Sequence, residues 1–477
     1  MRVKSDLIPE FAIIGHPNEG KSSVVSTLSE DDSVRISPTP GETVECRSFP
    51  VKIDNKEIIR FTDTPGFQRP RKTLKWMNSC LENCDDPVAA FLNEQKDNPE
   101  FKDECRLLAP VANGAGIIYV VDGSRPLRKS DIAEMEILRL TARPRMAIIN
   151  SKDNNAIYLD EWKNELRKNF NSIRIFNAHN AAYAERIDLL QSLKSIDQDW
   201  QPALERVIKA FQEDWERRTK KSASYISDLI YECVSHKMTM NFANKDSSSE
   251  ISRKLLEKYQ HEIETIERRF HKKIRAVFKH NIFDYELPPQ SLLNEDLFGD
   301  ETWQLLGLTQ KQLAATAAVG GGIAGALIDV AAHGISMGLF AVIGGAIGAG
   351  SVILGGDKIA ETTIKGLKIG GYKITIGPVK NIQLLFVLLD RALIYYSHVI
   401  NWAHGCRDYK PVDNSNDKLK KSGFSKELDQ GFRSRCSSFF QAIRSGDEEN
   451  IRKAELKFEE GVGEILDLIS SCERAYY

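Results

Sequence analysis

The chain has 477 residues, 42% of them hydrophobic and 28% charged, with a formal net charge of -2. That length exceeds one ordinary core and predicts two or three domains, while the balanced charge excludes general polyanion binding and the composition excludes a wholly disordered chain. Cys46, Cys80, Cys84, Cys105, Cys233, Cys406, Cys436 and Cys472 form no CxxC pair and have no histidine at ligand spacing, so neither a zinc site nor a disulfide framework is expected. The opening "MRVKSDLIPE" lacks the apolar core of a signal peptide, which with reduced thiols predicts a cytosolic chain.

In chain order, the first informative stretch is "EFAIIGHPNEGKSSVVSTL": a buried strand from Phe11 to Ile14, a glycine-bounded loop, and a helix opening at Lys21. This is GxxxxGK[ST] in the context it requires. Gly15 and Gly20 allow the loop to wrap with backbone N–H groups facing phosphate. Asn18, Glu19, Gly20 and Ser23 belong to that cradle, Lys21 neutralises β and γ oxygens, and the Ser22 hydroxyl is a Mg²⁺ ligand. "EIIRFTDTPGF" predicts a strand that ends at Asp63, placed to hold Mg²⁺ through water, with the Gly66 N–H meeting a γ-phosphate. Between them "SPTPGETVE" offers Thr43, with Thr39 as the weaker candidate, as a threonine that closes over the metal. "RMAIINSKDN" reads as a strand followed by Asn150, Ser151, Lys152 and Asp153.

The motifs "GHPNEGKS", "PGET", "DTPG" and "NSKD" in this order resemble those of GTPases of the Era, EngA and TrmE group, over residues 8 to 197. The resemblance implies an α/β P-loop domain, GTP and GDP as ligands, and Mg²⁺. It assigns Asp153 to the guanine edge, with Asn150 and Lys152 in the same base-binding loop and Asn177-Ala178 of "FNAH" in the last one. Ser151 departs from the usual Asn-Lys-x-Asp and removes a lysine whose stem packs on the base. The competing reading, a P-loop ATPase, lacks an obvious second acidic strand with an adjacent glutamate.

Hydrolysis depends on positioning and charge neutralisation. Phe67 follows Gly66, where many small GTPases have a water-aligning glutamine; an aromatic cannot do that work, and Gln68 is the nearest candidate catalytic residue beside Lys21 and Thr43. The resemblance implies help from a partner, a dimer contact or K⁺, with Asn18 as the K⁺ residue. The plainer reading of Asn18 is that it shapes the loop.

After Asp199 apolar residues recur at helical spacing. In "SRKLLEKYQHEIETIERRFHKKIRAVFKHNIF", Ile263, Ile266, Phe270, Ile274, Val277 and Phe278 form an apolar side. Arg268, Arg269, Lys272, Lys273, Arg275 and Lys279 lie elsewhere around the helix: a solvated face, or a contact for anionic lipid or RNA. From Leu313 to Ile328 and from Gly334 to Gly356 no charge occurs; Asp329 and His333 interrupt. The second run reaches the roughly twenty residues of a membrane span and the first does not. Gly321 and Gly325, Gly334 and Gly338, and Gly344 and Gly348 repeat at the spacing of close helix contact. The expectation is a helical hairpin bending at "DVAAHG" that reversibly contacts membrane; the alternative is a buried helix pair. "LKIGGYKITIGPV" predicts a β-hairpin about Gly370-Gly371. "NIQLLFVLLDRALIYYSHVINWAHGCRD" predicts a strongly apolar helix in which Arg391 and His404 serve internal ion pairing and packing. An exposed linker near residue 415 and a final helix pair follow.

This order of parts resembles a bacterial family of GTPases with a C-terminal domain of unknown function. The expected organisation is a GTPase domain (1–197), a helical connecting region (198–308), a glycine-rich hairpin (309–356) and a mainly helical C-terminal region (357–477). The expected role is a GTP-hydrolysing switch at the cytoplasmic face of the inner membrane, acting on lipid or a membrane protein as a homo-oligomer or GTP-dependent dimer. The rivals are an RNA or ribosome-assembly GTPase and a nucleotide-gated structural assembly protein.

Overall fold

The computed structural model describes residues 8–30, 45–81, 84–150, 157–176, 183–242, 248–280, 291–299, 302, 305–309, 312–313, 351–354, 363–364, 367–368, 372–401 and 423–472. Thr39, Thr43, Ser151, Lys152, Asp153, Asn177, Ala178, Asp329, His333, His404 and the glycine-rich run from Gly320 to Gly350 lie outside the described residues. The chain divides into two compact units: residues 1–217 with 279–285 and 400–409, and residues 218–278 with 286–399 and 410–477.

The first unit is built on a six-stranded sheet. Its elements are β1 (Glu10–Ile14), α1 (Lys21–Ser29), β2 (Arg47–Ile53), β3 (Lys56–Asp63), α2 (Pro70–Cys80), α3 (Pro87–Gln95), α4 (Lys102–Ala112), β4 (Gly116–Asp122), α5 (Lys129–Leu140), β5 (Arg145–Asn150), α6 (Leu159–Asn169), β6 (Ser172–Phe176) and α7 (Tyr183–Lys194). The strand order is β2-β3-β1-β4-β5-β6, parallel throughout except for antiparallel β2 and β3. Central strands of a parallel sheet are covered on both faces, which explains why β1 and β4 read as unbroken apolar runs. Alternation divides them: Phe11, Ile13, Ile118, Val120, Met146 and Ile148 enter one core. Ala12, Ile14, Ile117, Tyr119, Val121, Ala147 and Ile149 enter the other. Because β1 is flanked by β3 and β4, the chain order reverses beside it, and the carboxyl ends of these strands open the crevice where such folds bind ligands.

The second unit is mainly helical. It contains the later part of α8 (Gln201–Ser235), β7 (Met238–Phe242), α9 (Ser248–Val277), β8 (Ser351–Leu354), β9 (Thr363–Ile364), β10 (Leu367–Lys368), β11 (Tyr372–Ile376), α10 (Gln383–Ile400), α11 (Gln430–Ser445) and α12 (Glu448–Cys472). The apolar side of α9 is core: Ile263, Ile266, Phe270 and Ile274 are buried, as is Phe278 just beyond its end, while Val277 is half-buried. Two of its basic residues reach α8, Arg269 to Glu232 at 3.1 Å and Lys273 to Asp228 at 3.5 Å. The antiparallel strand expected after Gly370-Gly371 is present as β11, with different neighbours. It pairs with β7 on one edge and β8 on the other, while β10 pairs with β9. The five-residue ladder to β7 and four-residue ladder to β8 satisfy both edges of β11, which a two-residue β10 could not. β7, set between two long helices, was not legible from periodicity. Arg391 takes the ion-pair role expected of it, with its Nε 2.6 Å from Glu267 Oε1.

Candidate nucleotide and metal site

The site forms where β1 and β3 end. Gly15 follows β1, and a Cβ there would lie 2.3 Å from the Val120 carbonyl oxygen, so only glycine lets the loop leave the sheet at that point. Asn18 adopts a left-handed conformation at φ 67, and Gly20, the N-cap of α1, does so at φ 90. These turns lay the loop back over the first turn of α1, the arrangement in which helix N-terminal N–H groups serve an anion.

The structure brings the two expected Mg²⁺ residues together: Ser22 Oγ donates to Asp63 Oδ2 at 2.7 Å. Lys21 is buried and donates from Nζ to the His16 carbonyl at 2.9 Å, spanning the loop it is expected to serve. Ser23 is buried in the first turn of α1. Thr64 anchors the end of β3 by donating to the Ile13 carbonyl at 2.7 Å. Gly66 presses on the loop, since a Cβ there would meet Pro17 N at 2.6 Å. Phe67 donates its N–H to Gly15 O at 3.3 Å, and its ring is fully buried, so it holds the corner as core. Gln68 has an exposed side chain, and its main-chain N–H is held by Glu104 Oε1 at 2.9 Å. Asn150, fully buried at the end of β5, donates from Nδ2 to the Glu19 carbonyl at 3.1 Å and so braces the phosphate loop.

Two polar anchors, both using α5, support the loop. Glu19 has its carboxylate occupied: Oε1 accepts from Arg125 Nε at 2.8 Å and Nη2 at 2.5 Å, and Oε2 accepts the Asp122 N–H. Arg125 also reaches Asp131 at 2.7 Å and lies 5.0 Å from the centre of the Trp162 ring. Burial pushes the Glu19 carboxyl above its ordinary value, and Arg125 opposes that rise. Three residues along α5, Glu134 contacts His16 Nδ1 at 2.8 Å and accepts from Tyr119 OH at 2.9 Å. Burial raises the Glu134 carboxyl too, with His16 the largest opposing influence. Sequence reasoning missed Arg125, Asp131 and Glu134. The spacing of Asp131 and Glu134 places both on one face of α5, but no motif distinguishes them from solvent-facing charges.

Residues 10–151 match the family described as 50S ribosome-binding GTPase, and residues 163–462 match Domain of unknown function (DUF3482). GTPase Der of Agathobacter rectalis is 42% identical over 64 residues, 13% of this chain and 14% of that protein. GTPase Der of Mycoplasma pneumoniae is 24% identical over 173 residues, 35% of this chain and 33% of that protein. The chain thus spans a third or less of the length of these relatives. A crystal structure of Era in complex with MgGDPNP and nucleotides 1506–1542 of 16S ribosomal RNA superposes with a TM-score of 0.30 and 21% identity, covering 40% of this chain and 57% of that one. The profile over 163–462 takes in more than half of the sequence. With an N-terminal P-loop GTPase domain ahead of it, the chain belongs to the family described as Domain of unknown function (DUF3482).

Proposed function

We propose that the chain binds and hydrolyses GTP and that the nucleotide state governs its helical C-terminal region. The observation that carries this reading is the 2.7 Å contact of Ser22 with Asp63 at the mouth of a glycine-built loop. A hydroxyl and a carboxylate are the hard oxygen donors that suit Mg²⁺; Ser22 and Asp63 would hold it, with Thr43 closing on it. When bound, Mg²⁺ neutralises charge on the β and γ phosphates. The chain's own contribution is positional: the loop from Asn18 to Ser23 seats the phosphates, Lys21 exchanges the His16 carbonyl for a phosphate oxygen, and Gly66 senses the γ-phosphate. Asn150, Lys152, Asp153, Asn177 and Ala178 form the guanine side. Gln68 is the candidate for aligning water once the 66–69 segment rearranges.

Turnover is slow in the isolated protein and rises with K⁺ at Asn18 or with self-association. A supplied positive charge in such sites is worth about 10³ to 10⁵ in rate. Phosphate release measured in K⁺ and in Na⁺, at low and high protein concentration, tests this; one unvarying slow rate removes the proposal.

The output proposed for GTP binding is exposure of the glycine-rich run to lipid at the cytoplasmic face of the inner membrane. Its support is the uncharged stretch from Gly334 to Gly356, long enough to span. Liposome flotation with GDP and with a non-hydrolysable GTP analogue is the test, and a protein that never floats refutes it. A second reading is favoured by the description attached to residues 10–151, 50S ribosome-binding GTPase: a role on the ribosomal particle. It predicts RNA binding that weakens steeply with salt and no flotation. Nucleotide-dependent sedimentation without lipid or RNA would instead indicate self-assembly through the hairpin.

A further inference from the structure

α2 begins at Pro70, four residues after Gly66, and its last residue is Cys80. Cys84 follows just before Asp86, which caps α3 by accepting from Val88 N and Ala89 N. The two Sγ atoms are 2.7 Å apart, with the Cys84 thiol donating to Cys80. Neither side chain is sealed in the core. A tetrahedral zinc with Zn–S bonds of about 2.3 Å would hold two thiolates about 3.8 Å apart. Among the described residues no group of three or more His, Cys, Asp or Glu side chains is arranged for a metal. A disulfide requires about 2.05 Å, roughly 0.6 Å of further approach. Of the other cysteines whose side chains are described, Cys105, Cys233 and Cys436 are buried, and Cys46 donates to the Arg106 carbonyl at 3.2 Å.

We propose that Cys80 and Cys84 form a reversible intrachain disulfide that fastens the C-terminal end of α2 to the entry of α3. The oxidant is a small-molecule disulfide of the glutathione class. The Cys80 thiolate attacks one sulfur of RSSR, forming Cys80–S–S–R and expelling RS⁻. Cys84, once deprotonated, attacks the Cys80 sulfur, forming the Cys80–Cys84 bond and expelling the second RS⁻. Two cysteine thiols are oxidised, one RSSR is reduced to two RSH, and the two cysteine protons leave on the products. The order follows from the hydrogen bond: Cys84 donates its S–H to Cys80, which leaves Cys80 the sulfur free to make the first attack. That same bond is the first cause holding the Cys84 thiol up at about 11, and it is lost once Cys80 carries the RS group.

The bond matters because of where it is. Trp76 of α2 meets Phe91 of α3 edge to face at 5.3 Å, and Glu104 holds the main chain at Gln68 and Arg69. A covalent stop at the far end of α2 restricts the sliding of α2 against α3 that a rearrangement of 66–69 needs. The effect on turnover rests on the GTP reading above; the disulfide itself does not.

The full chain would be equilibrated at graded ratios of oxidised to reduced glutathione, alkylated, digested and weighed. Both cysteines fall between Lys75 and Lys96, so one tryptic peptide reports the bond: it carries no alkyl group and is two hydrogens lighter than the free dithiol. Expected are that linked peptide, slower hydrogen exchange in α2 and slower GTP turnover on oxidation, all reversed by dithiothreitol. Cys84→Ser should leave Cys80 carrying a glutathione adduct, and Cys80→Ser/Cys84→Ser should be insensitive. Full alkylation of both cysteines at every ratio overturns the site. A linked peptide with unchanged α2 exchange overturns the restraint, even in a protein without turnover.

Discussion

Replacing Arg125 by methionine tests the view that the phosphate loop is held from behind by buried charge. The side chains of Glu19 and Asp131 are 4% and 0% exposed and that of Arg125 is 14%. Methionine retains an apolar stem for Trp162 but leaves both carboxylates without the guanidinium. An exposed ion pair contributes about 0–1 kcal/mol; removing one partner of a buried pair costs about 3–5 kcal/mol because the other charge stays stranded. This network lies in the second regime. Against a typical stability of about 5–15 kcal/mol, the loss is large enough to read in urea unfolding. The relevant transition is the one that moves to higher urea with added GDP, by about 2.7 kcal/mol at a hundredfold excess over Kd. pH supplies a second signature. The Glu19 carboxyl is already raised by burial, and Arg125 is the main influence lowering it. Without Arg125 it rises further. A carboxyl raised in the folded state favours folding below its unfolded value, and that advantage is lost as pH climbs through the folded value. The variant's deficit is therefore greater near about pH 8 than near about pH 5. A loss under about 1 kcal/mol that does not vary with pH would show that the network is solvated like a surface pair and would refute the reasoning.

Other expectations follow from single contacts. Gly66→Ala sets a methyl 2.6 Å from Pro17 N, so the loop must shift; GDP affinity measured by calorimetry should fall by about tenfold or more, about 1.4 kcal/mol, while unchanged affinity would show that the corner has slack. Asp390 is fully buried, and burial pushes its carboxyl up to about 6 from 3.8. Its contribution to stability is complete below the lower value and lost as pH rises through the upper one. The stability gap between wild type and Asp390→Asn should widen by about 2 kcal/mol from neutral pH to about pH 4 and approach about 3 kcal/mol only below that, followed by chemical unfolding; a constant gap would place the titration elsewhere. Arg391→Met strands Glu267, whose side chain is 7% exposed, and should cost about 3–5 kcal/mol. The double variant with Glu267→Leu should recover much of that loss, and failure to recover would mean that packing and the carbonyl contacts of Arg391 dominate.

What could be read from the chain alone was local. Gly15, Gly20, Lys21, Ser22 and Asp63 stand at separations set by the reach of one loop and two neighbouring strands, so their spacing carries their geometry. The continuous apolar run at β1 fits a central strand of the parallel sheet in the same way, whereas β4 was not singled out. Arg125, Asp131 and Glu134 were illegible because a buried charge and a solvated one look alike in a sequence; only the fold places α5 behind the loop. The neighbours of β11 were illegible too, since Gly370-Gly371 favours a local hairpin while both edges of β11 pair with strands distant in sequence, Met238–Phe242 and Ser351–Leu354. Long-range pairing of this sort leaves no mark on periodicity.

The same difficulty bears on which apolar segment would meet a membrane. α10 has 18 residues with a mean hydropathy of 1.3, which suits a span by length and composition. Its polar groups argue against that use. Asp390 accepts N–H groups of Gly307 and Ser425, both at 2.6 Å. Arg391 sets its fork on Glu267 at 2.6 and 3.1 Å and reaches the carbonyls of Leu292 and Glu295 at 3.3 and 3.1 Å. Moving α10 into lipid would break all of these and expose charges that cost about 2.5–3.5 kcal/mol each at a helix centre. The membrane contact proposed above would therefore fall to the run from Gly334 to Gly356 rather than to α10, and on that proposal the two segments should respond differently to one added charge. Ile343→Arg should abolish flotation while leaving the urea transition unchanged. Leu388→Arg, at a fully buried position, should lower the urea transition in the absence of any lipid. If the Leu388→Arg protein keeps its unfolding profile and loses flotation, α10 is the membrane element and its ionic contacts are not what hold it in the core.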